Sequence, residues 1–142
     1  MAILNYTTTI NSIKTIGEIT QALVERGANK IVVDYKESFP IALTFTMNHK
    51  GQQMFFELPA NINGVQNVLI KQNVPKKYQT REQAIRTSWR IIKVWVDAQM
   101  AIIDAEIVTP AQVFLPYAIT KNGKPLYSEI ENTGILQLEE VI

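Results

Sequence analysis

The sequence predicts an α+β fold: a small antiparallel sheet, arranged along the chain as strand, helix and three further strands, packed against a long C-terminal helix. Two observations carry the prediction. Between residues 30 and 58 lie three short runs rich in β-branched and aromatic side chains, one of them alternating with the period of a strand. After Thr80, apolar residues recur at helical spacing, and neither proline nor glycine interrupts them until Pro110. A chain of 142 residues is near the common size of one domain, so residues 1–142 are expected to form a single α+β domain.

Residues 4–9, with Tyr6 and three consecutive threonines, read as a first strand. Beyond Ser12, the spacing of Ile13, Ile16, Ile19, Leu23 and Val24 predicts a helix ending at Gly27, where a glycine suits a C-cap. Ile31, Val32, Val33 and Tyr35 mark a strand over residues 30–36, which stops at a turn-like stretch before Pro40. In residues 41–47, Ile41, Leu43, Phe45 and Met47 alternate with Ala42, Thr44 and Thr46, sending one face to the core and the other to water. Asn48-His49-Lys50-Gly51 reads as a hairpin loop, with residues 52–58 as the partner strand.

Pro59 lacks an amide proton and closes the sheet. Ile62, Val65, Val68 and Leu69 then predict a short amphipathic helix within residues 61–72, followed by a basic linker over residues 74–79. Thr80-Arg81-Glu82-Gln83 has the spacing of a capping box and opens a helix expected to reach residue 105, with Ile91 and Trp95 buried. Turning each residue by about 100° gathers Glu82, Arg86, Arg90, Lys93, Asp97 and Asp104 in a stripe about 80° wide. Apolar side chains fill most of the remaining circumference, as in a largely buried helix. Thr109-Pro110 starts another short helix, Asn122-Gly123 a turn, and residues 126–130 one more helical turn. Residues 135–142 read as a final strand or as a free end.

The near-neutral net charge of +1 conceals an imbalance. From Lys71 to Lys93 seven basic residues face Glu82 alone, a net +6, whereas the residues before this block sum to zero and those after it to −5. A basic cluster attracts phosphate, and an acidic tail masks that cluster or repels the same ligand. The candidate anion or nucleic-acid site is therefore Lys76, Lys77, Arg81, Arg86, Arg90 and Lys93. Trp89 and Trp95 interleave with these cations, as stacking platforms do in single-strand binders. Helical geometry puts Trp95 deep in the apolar arc and Trp89 at its edge, and core packing is the favoured account of both.

No motif supports catalysis. The chain has no cysteine, which excludes a disulfide, a thiolate nucleophile and a Cys-ligated metal. It has one histidine, His49, expected in an exposed turn without an essential role, so a histidine-rich metal site is excluded. Asp97 and Asp104 share a helix face with Arg86, Arg90 and Lys93, which suits a solvated stripe better than an acid–base pair. Ser88 lies on the apolar arc with no base beside it. Dinucleotide, P-loop, hydrolase-elbow and zincin signatures are missing. A non-enzymatic protein without a cofactor is expected. The first residues lack the features of a signal peptide, and the apolar stretches fall short of the roughly 18 residues that span a bilayer, so a cytoplasmic protein without a membrane partner is expected.

Within residues 78–127, five blocks carry a resemblance: Tyr78-Gln79-Thr80-Arg81-Glu82-Gln83-Ala84, Trp89-Arg90-Ile91-Ile92-Lys93-Val94-Trp95, Ala98-Gln99, Gln112-Val113-Phe114-Leu115-Pro116-Tyr117 and Gly123-Lys124-Pro125-Leu126-Tyr127. In their order the chain resembles a group of small uncharacterised proteins encoded by bacteriophages and integrative elements. The resemblance implies a mobile-element setting in a bacterial host, among proteins that handle DNA or counter host defences. It implies no activity and no catalytic residue. The leading expectation is an accessory protein that binds nucleic acid or another phosphate-bearing ligand through the basic patch. The alternative is an inhibitor or adaptor that binds a host defence protein through its acidic C-terminal portion, and a small enzyme of unknown chemistry comes third.

Overall fold

Polar caps and left-handed turns set most of the element boundaries. The computed structural model describes residues 1–133, so the element expected over residues 135–142 lies outside the described residues. Helix α1 (Ser12–Glu25) starts at Asn11, whose side-chain oxygen accepts the Ile13 amide at 2.8 Å. It ends in a Schellman turn: Gly27 takes φ +107, and the amides of Ala28 and Gly27 donate to Leu23 O and Val24 O. Strands β1 (Lys30–Lys36), β2 (Phe39–His49) and β3 (Gln52–Pro59) form an antiparallel sheet in that order. The fold is thus α+β with a three-stranded antiparallel sheet.

The β2–β3 hairpin turns on Lys50 and Gly51, both at positive φ, and its register pairs His49 with Gln52. Glu37 and Ser38 make the β1–β2 turn, also at positive φ although neither is glycine. On the inner face Ile31, Phe45 and Phe56 stand side by side, as do Val33, Leu43 and Leu58. The outer face carries Val32, Thr44 and Glu57 in one row. It is not uniformly wet, because Ala42 and Thr46 are buried there between their neighbours.

Helix α2 (Ile62–Lys71) is capped by Asn61 and followed by a 3₁₀ turn at Lys76–Tyr78. Helix α3 (Arg81–Asp104) has 24 residues, and it packs against α1 and α2. Its Trp89 is fully buried and donates Nε1–H to Pro40 O of β2 at 3.0 Å. Three short elements follow: α4 (Pro110–Phe114), a 3₁₀ turn at Leu115–Tyr117, and α5 (Leu126–Thr133). The short elements expected after Pro110 and near Leu126 are present, so the long helix is not the C-terminal one that the expected fold made it.

Residues 4–9 are not a strand. Residues 4–7 form a turn with Asn5 at φ 62, and α3 takes up their backbone oxygens. Gln83 donates from Nε2 to Tyr6 O at 2.7 Å and Thr8 O at 2.9 Å, and the Thr87 hydroxyl donates to Asn5 O. This use of Gln83 also alters the expected cap. Thr80 accepts the Gln83 amide, but the Gln83 side chain serves the N-terminal segment instead of reaching back. A complete capping box occurs at α4, between Thr109 and Gln112.

Around the core, an aromatic chain links sheet and helices. Phe45 stacks on Phe56 at 5.2 Å, Phe114 meets Phe45 edge-on at 5.0 Å, and Trp95 meets Phe114 at 5.8 Å. Trp95 and Ile91, expected to be buried, are only half-buried. Trp89, placed by the helical wheel at the arc's edge, is the buried tryptophan, because α3 meets β2 on that side.

Candidate functional site

The structure separates the six basic candidates into two groups. Arg90 and Lys93 face α1. Arg90 Nη1 lies 3.1 Å from Glu18 Oε1 and 3.3 Å from Thr15 Oγ1, while Lys93 Nζ lies 2.5 Å from Asp97 Oδ2 and 3.7 Å from Glu18 Oε2. Their side chains are only 16% and 21% exposed, so these charges are largely spent within the fold. Arg86 donates to Gln83 Oε1 from Nε and Nη2, at 3.2 and 2.6 Å, and so orients the amide that holds the N-terminal segment. Asp104, on the same stripe, is taken by Arg26, the residue that follows α1, at 2.7 Å.

The second group is more open. Lys76 and Lys77 are exposed on the 3₁₀ turn, with the Lys77 ammonium 4.9 Å from the centre of the Tyr78 ring. Arg81 donates to Asn63 Oδ1 at 2.7 Å and lies over the Phe39 ring. Among the described residues Lys76, Lys77 and Arg81 form no ion pair.

Ion pairing shifts the carboxylates between α1 and α3. The Arg90 hydrogen bond holds Glu18 below the usual carboxylate range, against an opposing effect of burial. Arg26 does the same for Asp104, whose own hydrogen bond raises the Arg26 guanidinium. His49 is not in an open loop. As the last residue of β2 it is half-buried and lines a small cavity of about 100 Å³ with Arg26, Met47, Met54 and Phe56. Among the described residues, no group of three or more His, Asp or Glu side chains could hold a metal ion. No helix among them is long and apolar enough to cross a membrane.

Two adjoining recesses elsewhere among the described residues are mainly apolar. Leu58, Pro59, Ile91, Ile92, Trp95 and Tyr117 line a recess of about 270 Å³ between α3 and the end of β3. Pro59 and Tyr117 also border a second recess of about 460 Å³, completed by Glu57, Pro116, Pro125, Tyr127 and Ser128. The two adjoin at Pro59 and Tyr117, which line both, and this pair of recesses is the groove; each wall has a local cause. The Tyr117 ring is braced edge-on by Trp95 at 5.7 Å. The segment after the second 3₁₀ turn is fixed to β3 by the Ile119 amide donating to Phe55 O at 2.8 Å, and α5 is brought back by the Leu126 amide donating to Ala118 O at 2.7 Å. Tyr127 stays 52% exposed, and the neighbouring Glu131 carboxylate raises the pKa of its hydroxyl.

Sequence reasoning did not single out this groove. Its signal was the pair Pro116-Tyr117 and Pro125-Leu126-Tyr127, read only as parts of the resemblance. Compared with models of known protein families, with curated proteins and with solved structures, the chain finds no match in any of the three.

Proposed function

We propose that this protein is a non-enzymatic adaptor or inhibitor that holds a segment of a partner protein in the groove between α3, the end of β3 and α5. The supporting observation is the lining. Trp95, Tyr117 and Tyr127 stand among three prolines and three aliphatic side chains, a composition that suits protein recognition and that solvent alone does not favour. The ion pairs of Arg90 and Lys93 weigh the same way, since phosphate would have to displace Glu18 and Asp97 to reach them. Within the mobile-element setting that the resemblance implies, the partner is a host protein.

Selection from a random phage-displayed peptide library tests this reading. Peptides enriched on the wild type should lose binding to Ile91→Glu, and to Tyr127→Asp, which changes a more exposed wall. The absence of enriched peptides, or binding indifferent to both substitutions, would contradict it.

A second reading has its own observation: Lys76, Lys77 and Arg81, beside the start of α3, form no ion pair among the described residues. Nucleic acid or another phosphate-bearing ligand would meet the protein there. Oligonucleotide binding that weakens with salt and disappears in Lys76→Glu/Lys77→Glu would move the function to that surface.

A further inference from the structure

Among the described residues the groove is lined by a single charged side chain, Glu57, and its setting indicates what the groove accepts. Glu57 stands opposite Thr44 in the sheet, half-buried, beside Pro59 and the Pro116-Tyr117 wall. Among the described residues it has neither an ion-pair partner nor a side-chain hydrogen bond, whereas Glu18, Glu25, Asp97 and Asp104 all have cations. A second carboxylate, Glu131, sits at the Tyr127 hydroxyl on the far wall. Lys121 and Lys124, in the turn before α5, do not line the groove. Covering an unpaired carboxylate with an apolar partner costs its hydration, and covering it with an acidic partner adds repulsion; a cation offsets both.

Resting on the docking reading above, we propose that the groove is selective for a partner segment that places a Lys or Arg side chain on Glu57 between apolar anchors inserted beside Trp95, Tyr117 and Tyr127. The segment does not join the sheet as a further strand, because Pro59 offers no amide at that edge and residues 118–119 already occupy the edge at Phe55 and Phe56. Residues 134–142 of the chain itself do not meet the requirement, since they contain Glu139 and Glu140 and no basic residue. The same carboxylate rejects acidic partners, so one side chain contributes both attraction and discrimination.

The test is a charge swap read by peptide selection. Peptides enriched on the wild type should be rich in Lys and Arg over Asp and Glu, and those enriched on Glu57→Lys should reverse that preference. Synthetic copies of the wild-type winners should bind Glu57→Lys about tenfold more weakly at low salt and recover when their own lysine is exchanged for glutamate. A synthetic peptide of residues 134–142 should not compete. Enriched peptides that lack a charge preference but are lost on Ile91→Glu would overturn the selectivity and leave the docking groove standing. Competition by the 134–142 peptide would also overturn the selectivity. Peptides whose binding ignores Ile91→Glu and Tyr127→Asp, or no enriched peptides at all, would overturn both.

Discussion

Gln83 shows how one side chain does the work of several turns. It is 3% exposed, its amide nitrogen serves the carbonyls of Tyr6 and Thr8, and its amide oxygen receives Arg86. Replacing it with methionine keeps the length of the side chain but leaves these carbonyls without their partner. Gln83→Met should therefore cost about 1–3 kcal/mol, measured as a lower urea midpoint at unchanged slope. An unchanged midpoint would show that the N-terminal segment is held by other contacts. The role was not legible in the sequence, because Thr80 and Gln83 satisfied the pattern of a local capping box and the competing acceptors lie 75 and 77 residues away. The tryptophans show the same limit. A helical wheel gives the angle between Trp89 and Trp95 but not the direction from which β2 approaches, and that approach decides which one is buried.

At the scale of elements, α1 and α3 are joined by charge as well as by apolar packing. Glu18 receives Arg90 and Lys93, and Asp104 receives Arg26, the residue that follows α1. Because Glu18 has a lower pKa folded than unfolded, its contribution is present above the ordinary carboxylate range and is lost as pH falls through the lowered value. Glu18→Gln should be less stable than the wild type at neutral pH, and the gap should close in strongly acidic solution. Urea midpoints followed across that range check this, and a gap constant with pH would remove Glu18 as the linked group. The elements themselves were largely legible. Period-two alternation, Lys50-Gly51 and the stretch before Pro40 located the three paired strands, and Thr80 located the start of α3. The first strand failed because β-branched composition records local preference, while Asn5 and the α3 side chains impose a turn.

For the whole molecule, the basic stripe and the groove fare differently because they are assembled differently. The stripe lies on one helix, so sequence periodicity could find it, but only the neighbouring helix reveals that Arg90 and Lys93 are already paired. The groove draws on β3, α3, the second 3₁₀ turn and α5, and no single period spans those segments. The most direct measurement of the central claim is a backbone chemical-shift map of the isotope-labelled protein titrated with a peptide selected on the wild type. The account predicts that the largest shifts fall on Glu57, Ile91, Trp95, Tyr117 and Tyr127. Shifts concentrated instead on Lys76, Lys77 and Arg81 would contradict it.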